Sequence, residues 1–321
     1  MLAQSGQRQY KTWFVDSGRW RHYRPRPDDI VIATYQKCGT TWMQRIVGML
    51  VFQTSEPMPI MQMSPWIDRR QSAAVDALIE AQTHRRFLKS HLPLDGLPFY
   101  DDVKYIHVAR DGRDACLSYH QHCLGYTAQA LERLNSVGME DESIGRVYPE
   151  VPREPREFFH RWVTRGEVDG HEDGSPGLSF FQFEKSWWEA RNRPNVLFVH
   201  YNDLKSDLSS EMRRIADFLE IAVEPSLWPK LVAAAEFESM RRDADALMPN
   251  VEVTFKEGGR TFFHKGVNDR WRGAVNEDDL AIYEAKAAAA FSPQFARWLA
   301  QGRIPAGDPQ SAASSAPHAA I

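Results

Sequence analysis

Residues 29–42, Asp-Ile-Val-Ile-Ala-Thr-Tyr-Gln-Lys-Cys-Gly-Thr-Thr-Trp, carry the pattern that decides the fold. The apolar, β-branched run from Asp29 to Ala33 predicts a buried strand. Apolar side chains at helical spacing predict a helix over Thr40–Phe52, and a tight loop containing Gly39 joins the two. Backbone N–H groups at a helix N-terminus favour anions, and Lys37 adds a full positive charge. The stretch therefore predicts a phosphate-binding loop.

This loop differs from the Walker phosphate loop. The Walker motif is Gly-x-x-x-x-Gly-Lys-Ser/Thr, in which the lysine follows the second glycine and a hydroxyl binds magnesium. Here Lys37 precedes the only glycine, and Ala33 stands where a first glycine would fall. The loop alone therefore leaves the ligand open, and other parts of the chain must identify it.

The composition narrows the class of protein. With 321 residues and 43% hydrophobic content, the chain can form one large α/β domain or two small ones. A net charge of -4 argues against recruitment of nucleic acid or an anionic membrane by a global positive field. No apolar run approaches the 18 residues of a membrane span, and the polar N-terminus is not typical of a signal peptide. Three cysteines without zinc spacing favour a reducing compartment, so we expect a cytoplasmic protein.

Alternating patterns along the chain predict an α/β fold with a P-loop-like parallel sheet flanked by helices on both faces. We predict a single domain over residues 1–305 and a disordered, Ala/Ser/Pro-rich tail over 306–321. Residues 1–28 are expected to wrap the surface, and residues 244–263, which lack a period, are the best candidate for a mobile lid. The predicted strands are 29–33, 85–91, 103–109 and 195–201. The predicted helices include 40–52, 64–82, 111–123, a short one at 128–134, 156–165, 180–191, one from Asp203 or Ser206 to about 220, 227–241 and one capped by 276–279.

The strand ends predict a shared site. Ligands of parallel sheets bind beyond the carboxyl ends of the strands. The four predicted strands end in Lys37, in Lys89 with His91, in Arg110 and in Tyr201. Because three of the four ends supply cations, we expect one edge of the sheet to hold an anion with two separated charged groups.

Four segments in combination resemble the soluble, cytosolic-type sulfotransferases, and the sequence looks like a bacterial member. The similarity covers about residues 26–299, and the segments are Lys37–Trp42, Lys89–Pro93, Arg110–Ser118 and Lys265–Trp271. These enzymes transfer a sulfuryl group from 3'-phosphoadenosine 5'-phosphosulfate (PAPS) to a hydroxyl or amine. The resemblance implies adenosine 3',5'-bisphosphate (PAP) as product, a small-molecule acceptor and no metal.

The resemblance also implies roles for individual residues. Lys37 would hydrogen-bond the bridging oxygen and the 5'-phosphate, to which Cys38, Gly39, Thr40 and Thr41 would donate from N–H and hydroxyl groups. Arg110 and Ser118 resemble the pair that binds the 3'-phosphate. Residues that resemble the adenine pocket are Trp42, as the stacking ring, and Tyr201, Phe237 and Met240. Lys37, Lys89 and Ser118 join His91 as the expected catalytic residues.

His91 is the predicted general base. A hydroxyl acceptor is a poor nucleophile while protonated, and a neutral imidazole near pH 7 can take its proton. Residues 89 and 91 share a face of the strand, so the Lys89 ammonium can steady the sulfuryl oxygens beside the base. The other histidines considered, at positions 84, 107, 120 and 122, lack such a setting, and we predict structural roles for them.

The sequence departs from the family near its C-terminus. His264-Lys265-Gly266 stands where the family has Arg-Lys-Gly, and we predict that these three residues contact the donor. Without the arginine, protonated His264 or Arg260 would complete the 3'-phosphate contacts. The short dimer motif of many animal members is not recognisable over 272–280, so the oligomeric state stays open.

Two alternatives and the acceptor remain open. A nucleotide kinase or NTPase with an atypical loop predicts a magnesium requirement and a carboxylate after a strand. A non-catalytic nucleotide-binding protein is the other alternative. An apolar pocket suited to a phenol, a steroid-like alcohol or a lipid is predicted from Met58, Met61, Met63, Trp66 and Tyr126. Segments 64–68 and 84–91 also resemble bacterial members that act on glycolipids.

Overall fold

The computed structural model describes residues 1–6, 8–70, 75–263 and 265–311. Its centre is a parallel sheet in the order β3-β2-β5-β6. Strands β1 and β4 form a separate antiparallel pair. The strands are β1 (Leu2–Gln4), β2 (Ile30–Thr34), β3 (Phe87–Ser90), β4 (Phe99–Tyr100), β5 (Lys104–Ala109) and β6 (Val196–His200).

Helices surround this sheet. Every residue of β2 and β6 is buried, which requires cover on both faces, as parallel sheets need. The α-helices are α1 (Thr40–Phe52), α2 (Ile60–Met63), α3 (Val75–Glu80), α4 (Gly112–Leu124), α5 (Ala128–Glu140), α6 (Pro155–Thr164), α7 (Phe180–Glu189), α8 (Tyr201–Ser206), α9 (Leu208–Phe218), α10 (Trp228–Ala235), α11 (Phe237–Arg242), α12 (Ala244–Leu247), α13 (Gly259–Phe262), α14 (Glu277–Ala290), α15 (Pro293–Gln301) and α16 (Arg303–Ala306). Short 3₁₀ helices lie at Ser17–His22, Leu94–Gly96, Val251–Val253 and Pro309–Ser311. The predicted α/β fold is confirmed.

The parallel arrangement brings four strand ends to one edge. Ile30 of β2 pairs with Phe87 of β3 and with Lys104 of β5, and the pairing then runs forward in register. The residues that follow β2, β5 and β6 therefore emerge on the same side, next to the end of β3. This is the edge at which the ligand site was predicted.

The predicted helix over 64–82 is wrong. The Lys89 amide donates to the carbonyl of Pro65, and the Ile67 amide donates to the carbonyl of Lys89, at 2.9 and 3.1 Å. These bonds attach the segment around Trp66 to the outer edge of β3 as a short parallel bridge. The sheet thus uses backbone groups of this segment, and α3 is the one helix among the described residues of 64–82. Residues 71–74 lie outside the described part.

The N-terminal segment is core rather than surface wrapping, which corrects a second prediction. Tyr10, Trp13, Trp20 and Tyr23 are all buried. Trp13 packs edge-on against Tyr148 at a ring distance of 5.6 Å. Burial of these large aromatic side chains removes much apolar area from water. The gain in free energy exceeds the effect of the polar residues around them, so the segment packs into the core.

Smaller differences concern element ends. The predicted short helix at 128–134 continues to Glu140 as α5, and the predicted helix over 227–241 is interrupted at Glu236, whose backbone is extended. The predicted lid folds into α12, α13 and a 3₁₀ turn. The predicted domain limits stay predictions, and the proposed disordered tail falls mostly on residues 312–321, outside the described residues.

Candidate active site

The loop between β2 and α1 has the geometry of an anion cradle. Gly39 is the N-cap of α1 with φ 108°, and a Cβ there would lie 3.2 Å from the Tyr201 ring, so glycine suits this position. Lys37 itself adopts φ 66°, a conformation that non-glycine residues rarely take. A strained backbone at the one lysine of the loop is typical of a functional position. The loop is tied to β2 by a 2.5 Å hydrogen bond between the hydroxyls of Thr34 and Thr40.

His91 follows β3 and is fixed by two backbone contacts. Its Nδ1 lies 2.7 Å from the carbonyl oxygen of Thr34, and its own amide donates to the Asp68 carboxylate at 3.0 Å. A carbonyl oxygen can only accept, so Nδ1 carries the hydrogen and Nε2 of the neutral ring carries the lone pair. Burial, followed by the charge of Lys89, lowers the pKa of His91 well below its ordinary value. The imidazole is therefore a neutral proton acceptor.

Trp66 and Asp68 support the two residues at the end of β3. The Trp66 ring lies edge-on to His91 at 4.9 Å, and the Lys89 ammonium lies 4.4 Å from the centre of the same ring. The Trp66 indole N–H donates to Asp68 at 2.7 Å. Asp68 thus fixes the position of His91 and also that of the Trp66 ring, which contacts both His91 and Lys89.

Arg110 closes the opposite side of the edge. Its guanidinium donates to the carbonyl oxygens of Lys37 and Val267 and to Asn268, at 2.8–3.2 Å. It also stacks on Tyr201 at 4.1 Å, while its buried Nε lacks a partner among the described residues. Trp42 packs edge-on against Tyr201 and donates to the Ala235 carbonyl at 2.8 Å.

A cavity of about 400 Å³ connects these side chains, a size typical of small-molecule sites. Most of the predicted site residues line it. They are Lys37, Gly39, Thr40, Thr41, Trp42, Lys89, His91, Arg110, Ser118, Tyr201, Phe237, Met240, Lys265 and Gly266. Gly266 has φ 62° and faces the Phe237 ring, which a Cβ would meet at 2.8 Å.

Two of the predicted site residues, Cys38 and His264, are not among the described lining of the cavity. The Cys38 side chain is buried away from the cavity, with Sγ 3.8 Å from the Gln36 carbonyl, and its amide makes a 3.4 Å turn bond to Tyr35. The Cys38 amide, which is the donor that the sequence predicts, is used by this turn bond, so its contact with the phosphate stays a prediction. His264 lies outside the described residues, so its predicted contact stays a prediction.

The cavity carries a strong charge imbalance that the whole chain does not. Among its described lining residues, Asp114 is the one acid, beside seven cations: Lys37, Arg69, Lys89, Arg110, Arg133, Lys265 and Arg270. Burial lowers the pKa of Lys37 to about 8, with the charge of Arg110 adding to the effect. Burial lowers the pKa of Lys89 to about 7, and Arg69 and Lys37 add to it against the opposing Asp68. Cations that destabilise one another in this way fit a site whose counter-charge arrives with an anionic ligand.

His122 is a site residue that the sequence prediction missed. Its ring lines the cavity, and its Nδ1 lies 3.4 Å from the Lys37 ammonium, so the structure places it beside the predicted site residues. Burial and then the charge of Lys37 lower the pKa of His122 well below its ordinary value, so the ring is neutral, and the tautomer with its hydrogen on Nε2 accepts from Lys37 at Nδ1. Asp114, Ser118 and His122 repeat every four residues on α4, and all three face the cavity. That spacing from Ser118 was a signal available in the sequence.

The far side of the cavity is aromatic. Phe14 and Tyr126 have ring centres 6.1 Å apart, Tyr126 and Phe255 5.4 Å, and Phe255 and Phe262 5.6 Å. Met61, Trp66 and Tyr126 line this side as predicted. Met58 and Met63 are absent from its described lining, and Met63 packs against the core instead.

Fold and site together define a group-transfer enzyme: a phosphate-type loop at the edge of a parallel sheet, several cations and a neutral imidazole share one cavity. The sulfotransferase domain family matches residues 27–290, and the chain belongs to that family. A glycolipid sulfotransferase of Mycobacterium tuberculosis (strain ATCC 25177 / H37Ra) is 31% identical, covering 92% of this chain and 94% of its own length. Sulfotransferase 1C2 of Homo sapiens is 27% identical, covering 82% and 84%.

Solved structures agree on the fold. A mouse sulfotransferase, SULT7A1, complexed with PAP, superposes with a TM-score of 0.66 at 20% identity, covering 88% of this chain and 92% of that one. Retinol dehydratase in complex with androsterone and PAP gives 0.65 at 21% identity, covering 87% of each. Family membership confirms the predicted enzyme class and its PAPS donor, and it does not support the kinase and non-catalytic alternatives.

The described residues lack two further features. No helix there combines the length and the apolar character that crossing a bilayer would require. No group of three or more His, Cys, Asp or Glu side chains is arranged there to hold a metal ion.

Proposed function

We propose that this sulfotransferase moves the sulfuryl group of PAPS to a hydroxyl, or an amine, of an apolar small molecule such as a phenol, an alcohol or a glycolipid. His91 acts as the general base. Lys37 and Lys89 stabilise charge on the group that is transferred and on the group that leaves. The acceptor enters from the aromatic side of the cavity.

The donor would occupy the cationic side. The free N–H groups at the start of α1 and the Lys37 ammonium suit the 5'-phosphate. Arg110 and Ser118, which line the same cavity, suit the 3'-phosphate. Trp42, Tyr201, Phe237 and Met240 offer apolar surface for the adenine.

The reaction is an in-line displacement. The acceptor oxygen forms a bond to sulfur while the bond between sulfur and the phosphate oxygen breaks, and that electron pair leaves on PAP. The acceptor proton passes to Nε2 of His91, and the product is a sulfate ester. Positioning and charge stabilisation supply the catalysis, as in phosphoryl transfer.

One observation carries this proposal. Nδ1 of His91 donates to the Thr34 carbonyl, so the lone pair of a neutral imidazole is left for the cavity beside Lys89. A non-catalytic nucleotide site has no use for such a group. A glycolipid as acceptor is supported by the mycobacterial relative, whose name specifies that class. A cytoplasmic location is supported by the free, buried thiols of Cys38, Cys116 and Cys123.

A transfer assay tests the proposal. The full chain is incubated with ³⁵S-labelled PAPS and one acceptor at a time: 4-octylphenol, dodecanol, dodecylamine or a neutral glycolipid. We expect labelled product and PAP in equal amounts for at least one acceptor, unchanged by EDTA. Absence of transfer to every acceptor would contradict the proposal, and so would phosphoryl transfer from ATP with magnesium in a parallel reaction.

A further inference from the structure

Two arginines line the acceptor side of the cavity where an apolar pocket needs none. Arg69 lies between the bridge at Trp66 and the undescribed residues 71–74, and Arg133 lies on α5 beside Ala130 and Leu134. Arg69 is half-buried and Arg133 is exposed. Both are far along the chain from the strand ends that form the donor side.

No carboxylate of the described residues neutralises Arg69. Every Asp and Glu of the sequence falls within the described residues, and none forms an ion pair with Arg69 or Arg133 there. The neighbouring Arg70 shows the contrast, because it pairs with Asp141 and donates to the Thr12 carbonyl. No described hydrogen bond uses the Arg69 guanidinium, and none of its nitrogens is buried beyond reach of the cavity.

The electrostatics place Arg69 among other cations. Burial, and next the charge of Arg133, lowers its pKa, while Tyr126 opposes the shift. Arg69 in turn is the charge that contributes most to lowering the pKa of Lys89. A half-buried guanidinium that destabilises the neighbouring Lys89 ammonium costs stability unless a ligand brings an opposite charge.

We infer that Arg69 and Arg133 form an anion subsite for the acceptor, so that the preferred acceptor carries a carboxylate, phosphate or sulfate separated from its reactive hydroxyl by an apolar body. This rests on the proposed function and specifies its substrate class. Arg69 suits the anion because a guanidinium offers a planar pair of donors. Arg133, at the exposed rim, attracts the anion and contributes less to affinity. The aromatic rings of Phe14 and Tyr126 line the same cavity as the two arginines and suit the apolar body.

Matched acceptors test this subsite. One arm uses 8-(4-hydroxyphenyl)octanoic acid and its primary amide, and the other uses 3-(4-hydroxyphenyl)propanoic acid and its amide. The long pair represents a lipid-like acceptor and the short pair a free aromatic acid. For one pair we expect kcat/KM to be about 10- to 100-fold higher for the acid than for the amide, as a charge-assisted pair predicts. The pair that shows this preference identifies the source.

Variants locate the effect. Arg69→Met should bring the acid-to-amide ratio close to one, and Arg69→Lys should retain part of it. Arg70→Met is the control, because that arginine has the same charge but pairs with Asp141, and it should keep the wild-type ratio. An equal loss for acid and amide in Arg69→Met would mean that Arg69 acts through Lys89, which would overturn the subsite.

Binding separates failure of the subsite from failure of the proposed function. Calorimetry measures the affinity of acid and amide for the protein saturated with PAP, and melting temperatures verify that the variants fold. Turnover of both compounds with equal affinity would reject the subsite alone. No turnover of these phenols or of any acceptor in the transfer assay would reject the proposed function, while a preference of the protein for the acids in calorimetry would still support the subsite.

Discussion

The two sides of the cavity are built differently. The donor side consists of residues at strand ends and helix starts: Lys37 before α1, Arg110 after β5 and Tyr201 after β6. The acceptor side is formed by separate segments of the chain that do not belong to one sheet or helix, and these segments include Phe14, Arg69 and Phe255. Secondary structure fixes the donor side, whereas long-range packing fixes the acceptor side.

This difference in construction corresponds to two tasks, binding of the nucleotide donor and binding of the acceptor. A nucleotide with two phosphates needs charges at set positions, and strand ends of a rigid sheet supply them. The acceptor side can change without disturbing the sheet, because its rings and charges sit on α5, on the bridge at Trp66 and on the segment around α13. Substitutions on the two sides should therefore affect donor and acceptor kinetics separately.

Lys37→Met should break the donor side most severely. We expect kcat/KM for PAPS to fall about 10²- to 10³-fold, because one positioned charge is lost where negative charge develops. Initial rates at varied PAPS measure the loss. Lys104→Met, which removes a lysine paired with Glu220 at the surface, is the control and should retain the wild-type rate. A loss under threefold in Lys37→Met would contradict the assignment.

Arg110→Met should weaken the donor without changing the preference among acceptors. We expect PAP affinity to fall about 10- to 100-fold, as loss of charge-assisted hydrogen bonds predicts. Arg113→Met is the matched control. That arginine lies three residues away, pairs with Asp111 and stacks on Trp271 outside this cavity. If both variants bound PAP equally well in calorimetry, Arg110 would not be a phosphate ligand.

The lowered pKa of Lys37 predicts a pH dependence of donor binding. In the protein without donor, Lys37 has a pKa of about 8. A bound phosphate raises this pKa, because it stabilises the charged ammonium. PAP affinity is therefore highest below pH 8 and falls as the pH rises above 8. Between pH 7 and pH 9 we expect affinity to drop about tenfold, with proton uptake on binding near pH 8. Lys37→Arg keeps its charge over this range and should flatten the profile. The same slope in Lys37→Arg would assign the effect to another group.

His122 lies at the boundary of the donor side and the acceptor side, and its substitution should have the smallest effect on the rate. His122→Phe keeps an aromatic ring but removes the acceptor 3.4 Å from the Lys37 ammonium. We expect kcat to fall about 2- to 10-fold, the value of one ordinary hydrogen bond. His122→Asn should restore part of the rate, because its amide oxygen can replace Nδ1. Identical rates for the two variants would show that the contact with Lys37 contributes nothing.

The sequence predicted most of the fold because its signals are local. The run Ile30–Ala33 and the helix Thr40–Phe52 were predictable from periodicity and a glycine at the turn. The structure of segment 64–82 was not predictable in this way. The Pro65 carbonyl and the Ile67 amide form hydrogen bonds with the backbone of Lys89, which is more than twenty residues away. The burial of Trp13 and Trp20 likewise depends on partners far along the chain.

The same limit divides the candidate site. Lys37, His91 and Arg110 follow strands, so the rule for parallel sheets brought them together in advance. Arg69 and Phe255 carry no such marker, since only the folded chain shows that they share a cavity with His91. His122 lies between these cases, because the four-residue spacing from Ser118 indicated its face of α4 but nothing local indicated the contact with Lys37.

The central claim is that the neutral imidazole of His91 accepts the acceptor's proton inside a donor site that forms without it. Single-turnover transfer from PAPS, measured together with PAP affinity, tests this most directly in His91→Asn, with His84→Asn as control. We predict a rate about 10²- to 10⁴-fold lower in His91→Asn, with PAP affinity and melting temperature close to wild type. A rate within threefold of wild type would contradict the account.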